Sequence, residues 1–137
     1  MAPALEGIDH IHVYVGDRDA AEQWYARVLG LHRMPEFEYW AVDGGPLTLA
    51  DASGAVHLAL FERTPMQNRS TVALRVSATA FIAWQAHVRA ELGHDVEIED
   101  HVGSWSMYFA DPDGNPYEIT SYDVEAIAAA LGPEAGG

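Results

Sequence analysis

The chain contains no cysteine and no lysine. Its 137 residues include seven basic side chains, and all of these are arginine. The lack of cysteine excludes disulfides, thiolate metal ligands and a cysteine nucleophile. No apolar run approaches the roughly 20 residues that span a bilayer. The amino terminus also lacks a basic segment followed by an apolar one, so we expect a cytoplasmic protein without a signal peptide.

Positive charge is scarce, whereas negative charge is plentiful. The chain carries 21 acidic residues and a formal net charge of −14. Such a surface repels nucleic acids and anionic membranes, so we expect neither as a partner. A hydrophobic content of 49% in 137 residues is typical of a single globular domain spanning residues 1–137.

Residues 106–118 predict a strand, a tight turn and a second strand. The turn is Asp-Pro-Asp-Gly at 111–114, where proline presets φ, aspartate bonds its own backbone and glycine tolerates positive φ. Alternation in the second strand gives Glu118 and Thr120 a common face. This places a carboxylate inside a strand, where an unpaired charge is costly, so Glu118 should have a partner.

The two halves of the chain follow one plan. The motif Ala-Asp-x-x-Gly at 50–54 recurs at 110–114. The first half predicts a strand, a helix and three strands at 8–15, 18–29, 37–42, 46–50 and 55–62. The second half predicts the same order at 71–76, 79–92, 95–99, 105–110 and 116–121. We therefore predict an α+β fold of two tandem βαβββ modules, about 7–63 and 70–122, with a C-terminal helix at about 123–131. The modules should form a curved, mostly antiparallel sheet cup with helices on its outer face.

The repeat also relates polar residues of the two halves. Shifted by 61 positions, His57 falls on Glu118 and His10 falls on Thr71. Two modules related by a pseudo-two-fold axis would bring these four positions together. Two imidazoles and one carboxylate suit Fe, Zn, Ni, Co or Mn, so we predict a divalent metal ion held by His10, His57 and Glu118.

Further residues on the same faces are candidates for substrate handling. We predict that Tyr108 and His12 are catalytic and position or protonate a substrate, beside an apolar wall of Tyr14, Trp40 and Phe61. Plainer interpretations stay open. Each strand histidine could be an ordinary hydrogen-bonded residue, Glu118 could pair with Arg75, and His101 fits a solvent-facing loop.

Three motifs together resemble a known superfamily. They are Asp-His-Ile-His-Val-Tyr-Val-Gly-Asp at 9–17, Trp-Tyr-x-x-Val-Leu-Gly-Leu at 24–31, and Tyr-Phe-x-Asp-Pro-Asp-Gly-Asn-x-x-Glu at 108–118. The pattern covers nearly the whole chain and resembles the vicinal-oxygen-chelate superfamily. That superfamily includes glyoxalase I, the fosfomycin-resistance enzymes, extradiol dioxygenases and the bleomycin-resistance proteins.

The resemblance implies a ligand set and an activity class. Its four ligand positions fall on His10, His57, Thr71 and Glu118; many members have histidine where Thr71 stands, and glyoxalase I usually has Glu or Gln where His57 stands. It implies a homodimer and a metal-dependent enzyme acting on a small oxygenated organic substrate. Ring-cleaving dioxygenase-like chemistry leads, followed by glyoxalase-like isomerase or lyase chemistry. The alternative is a metal-free drug-binding protein of the bleomycin-resistance type.

Overall fold

The chain forms two compact units, residues 1–66 and residues 67–137. The computed structural model describes residues 1–66 and 70–132. Each unit contains an open four-stranded sheet with one parallel and two antiparallel strand pairs. The predicted α+β class, with two βαβββ modules and mostly antiparallel sheets, is confirmed.

Module one is the first unit, and its sheet has the strand order β1-β4-β3-β2. Its elements are β1 (Ile11–Val15), α1 (Arg18–Trp24), a π-helical turn (Tyr25–Leu29), β2 (His32–Arg33), a 3-10 helix (Pro35–Trp40), β3 (Leu47–Ala50) and β4 (His57–Glu62). Helix α1 begins after Asp17, whose side chain accepts a hydrogen bond from the Ala20 N–H at 3.1 Å. Gly30 ends the π-helical turn in the left-handed conformation, at φ 68°.

The prediction of a strand at 37–42 is wrong. This stretch overlaps the 3-10 helix Pro35–Trp40, whose first position is proline. Proline fixes φ near the helical value and holds the preceding residue extended, which starts a helix sharply. The aromatic residues that favour a strand by propensity are instead stacked along one turn.

Module two is the second unit, and its sheet has the order β5-β8-β7-β6. Its elements are β5 (Val72–Arg75), α2 (Ala78–Leu92), β6 (Glu97–Asp100), β7 (Trp105–Ala110), β8 (Pro116–Ser121) and α3 (Val124–Leu131). A buried apolar cluster joins the two helices to the sheet: Phe81, Trp105, Met107, Ile119 and Ile127. The Asp123 carboxylate, directly before α3, accepts a 2.9 Å hydrogen bond from the N–H of Ala78, the first residue of α2.

Matching aspartates hold the turn before the last strand of each module. Buried Asp111 accepts hydrogen bonds from the N–H groups of Asp113 and Asn115 and from the Asn115 side chain, at 2.8–3.0 Å. Asp51 accepts from the Ser53 hydroxyl at 2.6 Å and from the Val56 N–H at 3.0 Å. These bonds fix where β4 and β8 begin, and therefore which of their residues share a face.

None of the described helices is both long enough and apolar enough to cross a membrane.

Candidate functional site

His10 lies just before β1, with its ring oriented by a neighbouring carboxylate. The Nδ1 atom of His10 is 2.8 Å from Oδ2 of Asp9. A carboxylate in this position favours the tautomer with the proton on Nδ1, which leaves Nε2 as a free acceptor. Sequence reasoning overlooked Asp9, although a carboxylate next to a ligand histidine is a signal that could have identified it.

His12 lies two residues further along the same face of the strand. Its ring stacks on that of His10, with the centroids 5.0 Å apart and the planes at 24°. The two Nε2 atoms are 3.1 Å apart. The alternation of β1 produces this contact, because residues two apart in a strand point the same way.

His57 opens β4, which pairs in parallel with β1 and antiparallel with β3. His10, His12 and His57 all line one cavity of about 190 Å³ within module one. The other lining residues are Asp9, Phe37, Trp40, Pro46, Thr48 and Ala59. The structure therefore brings the two predicted histidine ligands and the predicted catalytic histidine of module one to a common space.

The aromatic wall of the cavity differs from the predicted one. Trp40 lines it as expected, but its partner is Phe37, stacked with the ring centroids 4.2 Å apart and the planes at 4°. Tyr14 and Phe61 are not among the lining residues; they contact each other, and Phe61 also contacts His12. The wrong strand assignment at 37–42 concealed Phe37, because a 3-10 helix brings residues three apart onto one side.

Two arginines fix the loop that follows this wall. Arg18 donates to the carbonyl oxygens of Gly45 at 2.7 Å and Ala41 at 3.0 Å. Arg63 donates to the Gly44 carbonyl at 2.8 Å. A Cβ atom on Gly45 would overlap the Trp40 carbonyl oxygen, so this position requires glycine.

Glu118 lies on β8 of module two and has the partner that its burial demands. Its Oε2 accepts a 2.7 Å hydrogen bond from Ser106, which is fully buried on β7. The Ser106 hydroxyl is also 3.1 Å from that of Thr120, which donates to the Trp105 carbonyl. Glu118 and Thr120 thus share a face, as predicted, and Ser106 is a site residue that sequence reasoning overlooked.

Tyr108 pairs with Glu118 across β7 and β8. Burial raises the pKa of Tyr108, and the negative charges of Glu118, Glu99 and Glu97 raise it too, while a hydrogen bond with Ser106 opposes them. The phenol therefore stays protonated at neutral pH and can donate. Its hydroxyl is 2.8 Å from Nε2 of His101, so this loop histidine contacts a predicted catalytic residue instead of solvent alone.

The strand pairing does not reproduce the superposition that matched His57 with Glu118. In module one, Ala50 lies opposite His57. Ala110, which is the equivalent of Ala50 in the repeat, lies opposite Pro116 in module two. Likewise Thr48 lies opposite Ala59, and Tyr108 lies opposite Glu118. Ala59 is therefore the counterpart of Glu118. The turns of the two modules differ in length, and that difference shifts the register.

Within residues 1–66 and 70–132, no group of three or more His, Asp or Glu side chains is gathered as a metal site. His10 and His57 lie in module one and Glu118 lies in module two. Thr71, the remaining position implied by the resemblance, is exposed and immediately precedes β5.

Comparisons with known proteins identify the family. The model of the Glyoxalase/Bleomycin resistance protein/Dioxygenase superfamily matches residues 7–119. The chain belongs to this superfamily, whose members share the vicinal-oxygen-chelate fold. A search of curated proteins finds no match.

Solved structures with the same fold include three bacterial proteins. The fosfomycin resistance protein FosX from Listeria monocytogenes, in complex with Mn(II) and sulfate, is 15% identical, with a TM-score of 0.65 over 94% of this chain and 100% of its own. A glyoxalase family protein from Bacillus anthracis is 20% identical, with a TM-score of 0.64 over 89% and 99%. A glyoxalase/dioxygenase from Nostoc punctiforme is 22% identical, with a TM-score of 0.65 over 89% and 95%.

Proposed function

We propose that this protein is a metal-dependent enzyme of the vicinal-oxygen-chelate type that acts on a small oxygenated organic substrate. Its divalent cation is held by His10 and His57 from module one and Glu118 from module two. The observation that carries this proposal is the shared cavity of the two histidines. In the strand register, His57 and Glu118 are not equivalent positions of the two modules. The assignment of His57 as a metal ligand therefore depends on this cavity and no longer on the repeat.

The side chains present fit such an ion. Imidazole nitrogens and a carboxylate are ligands that Fe, Zn, Ni, Co and Mn accept. The Nδ1 atom of His10 is hydrogen-bonded to the Asp9 carboxylate. A carboxylate in this position usually orients a metal-binding histidine. When bound, the cation would stabilise negative charge on a chelated substrate oxygen. The structural neighbour FosX is a complex with Mn(II), which supports metal use in this fold.

The other site residues would position the substrate and its protons. Tyr108 offers a protonated hydroxyl whose pKa is raised, so it can donate to a substrate oxygen without ionising at neutral pH. His12 would position or protonate the substrate from beside His10 in the cavity. Ser106 holds the Glu118 carboxylate in one orientation.

The cavity restricts the substrate to a small molecule with a flat or apolar part. Its volume is about 190 Å³, and its lining includes both the Phe37–Trp40 stack and three imidazoles. A hydroxylated aromatic compound suits both kinds of lining group, so ring-cleaving dioxygenase-like chemistry is the leading reaction class. Isomerase or lyase chemistry on an oxygenated adduct is second.

We also propose that residues 1–137 act as one domain in a cytoplasmic homodimer. Light scattering coupled to size-exclusion chromatography checks the dimer, since a mass equal to a single 14.9 kDa chain would contradict it.

The decisive experiment for the main proposal is metal loading followed by an activity screen. The purified protein is incubated separately with Fe(II), Zn(II), Ni(II), Co(II) and Mn(II), desalted and measured by elemental analysis. Loaded samples are then tested with catechols in an oxygen electrode and with α-hydroxy-ketone adducts by absorbance. We expect about one equivalent of metal per chain, lost in His10→Ala and Glu118→Ala but retained in the control His32→Ala. No metal above background in any wild-type sample would contradict the proposal.

A metal-free binding protein is the second candidate. The acidic net charge and the half-exposed Trp40 favour a cationic ligand that stacks on the aromatic wall. Calorimetry with metal-free bleomycin tests it. Binding that is unchanged in both His10→Ala and His57→Ala would support this function over the enzyme.

A further inference from the structure

His10 and His12 bring two imidazole nitrogens into close contact. Their Nε2 atoms are 3.1 Å apart, and both rings line the same cavity. Both project from one face of an extended segment, so the backbone of β1 fixes their spacing before any ligand arrives.

The tautomers available to the two rings allow both Nε2 atoms to bind a cation. The Asp9 carboxylate accepts the Nδ1 proton of His10 at 2.8 Å, so Nε2 of the neutral His10 ring carries a lone pair. The short contact to His12 then requires a proton on its Nε2, or a cation between the two nitrogens. His12 can switch to its other tautomer, in which its own Nε2 also carries a lone pair.

We infer that His12 is a second metal ligand from β1, so that His10 and His12 chelate the cation as a pair. Two nitrogens that are each about 2.1 Å from one ion lie roughly 3.0–3.4 Å apart for angles between octahedral and tetrahedral. The observed 3.1 Å lies in this range. The inference rests on the proposed metal and gives His12 a specific role at it.

The surroundings of the pair leave space for an ion. The residue beside His12 on β4 is Ala59, and the next along β3 is Thr48; both are small, and the bulky ring that contacts His12 from β4 is that of Phe61. His57 lines the same cavity but is not gathered with the pair into a group of three ligands. The Asp9 carboxylate adds a negative charge directly behind His10, which favours a cation.

Copper(II) binding tests the inference without any enzyme assay. Wild type, His12→Gln, Asp9→Asn and the control His32→Gln are titrated with Cu(II), and the nitrogen hyperfine pattern is read by electron paramagnetic resonance. We expect His12→Gln to lose one coupled nitrogen and to weaken affinity at least tenfold. Asp9→Asn should keep every nitrogen and weaken affinity about 10- to 100-fold. His32 is exposed on β2, so its variant should match wild type.

A second measurement uses the unaltered chain. Protein labelled with ¹⁵N histidine is titrated with Zn(II), and the Nε2 resonances of both His10 and His12 should shift together. Wild-type affinity and nitrogen count in a folded His12→Gln, or an unmoved His12 resonance, would overturn the inference while leaving the metal proposal intact. Failure of the wild-type protein to bind Cu(II) or Zn(II) would overturn both.

Discussion

At the scale of single residues, aspartate carboxylates fix the geometry of the strands that carry the candidate site. Hydrogen bonds from the Ser53 side chain and then the Val56 backbone lower the pKa of Asp51, so it stays ionised as it orders the turn before His57. Asp111 plays the same part before Glu118 and is buried. The strands that carry His57 and Glu118 thus begin where these two aspartates order the preceding turns.

The substitution Asp111→Asn should destabilise the protein by about 1–3 kcal/mol. The asparagine Nδ2 would face the Asn115 side-chain donor, leaving buried polar groups without an acceptor. Urea unfolding monitored by tryptophan fluorescence measures the change. Asp43→Asn is the control, because Asp43 is exposed and asparagine tolerates its φ of 51°. Equal stabilities of the two variants would contradict the role of Asp111.

The ion pair between Glu22 and Arg33 should give a stability contribution that depends on pH. Arg33 donates to both carboxylate oxygens at 2.7 Å, and this hydrogen bonding lowers the pKa of Glu22. A lowered folded pKa stabilises the protein above the unfolded pKa, and the contribution disappears as the pH falls through the folded value. Because the pair is partly exposed, Glu22→Gln should cost no more than about 1 kcal/mol at pH 7.

Urea unfolding of Glu22→Gln and wild type from pH 7 down to about pH 3 measures this contribution, since Glu titrates in that range. The difference should shrink as the pH falls, because a protonated glutamate resembles glutamine. The exposed control Glu36→Gln should show no such trend. A gap that widens at low pH would refute the assignment.

At the scale of secondary-structure elements, alternation and turn chemistry allowed the strands to be predicted where both were present. Strands β7 and β8 have the predicted bounds, because an Asp-Pro-Asp-Gly turn separates two alternating runs. The 3-10 helix was mistaken for a strand and β2 was not predicted, since six aromatic-rich residues fit a strand by propensity and a two-residue strand has no pattern.

Individual residues of the candidate site could be predicted from the sequence more readily than their grouping into one site. Strand alternation suffices to place His10 and His12 on one face, and both line a cavity of module one together with His57. The pairing of His57 with Glu118 depended on register, which the lengths of two turns decide and which sequence periodicity does not reveal. Ser106 was overlooked because its bond to Glu118 depends on side-chain geometry across two strands, whereas Asp9 adjoins His10 in the sequence and could have been identified.

Helices α2 and α3 should be coupled through Asp123. Its carboxylate satisfies the N–H of Ala78 at the start of α2, where Ser77 caps only the N–H of Ala80. Asp123→Ala should therefore cost about 1 kcal/mol of stability. It should also speed hydrogen exchange at the start of α2, measured by mass spectrometry. Glu125→Ala, on the exposed first turn of α3, is the matched control, and faster exchange confined to α3 would contradict the coupling.

At the scale of the whole molecule, the net charge of −14 acts against compactness. The seven cations are all arginine, and several are engaged in local bonds to carbonyl or carboxylate groups. Many acidic side chains consequently repel one another across the surface.

Salt should therefore stabilise the protein. Raising NaCl from about 10 mM to about 500 mM shortens the screening length from roughly 30 Å to a few ångströms, so the melting temperature should rise by several degrees. Differential scanning calorimetry at pH 7 measures the shift, and choline chloride at equal ionic strength should reproduce it. A melting temperature that is unchanged, or that responds to sodium alone, would refute general charge repulsion.

The guanidinium groups of Arg18 and Arg63 act outside the cavity whose wall they stabilise. Arg18 uses its fork-shaped donors to hold the carbonyl oxygens of Ala41 and Gly45, a geometry that a lysine could not replace, and Arg63 holds the carbonyl oxygen of Gly44. A reagent such as phenylglyoxal, which modifies arginine side chains covalently, would consequently loosen the position of the Trp40 indole. It would do so without reacting with any residue that lines the cavity. The shape of the cavity thus depends on two side chains that do not line it.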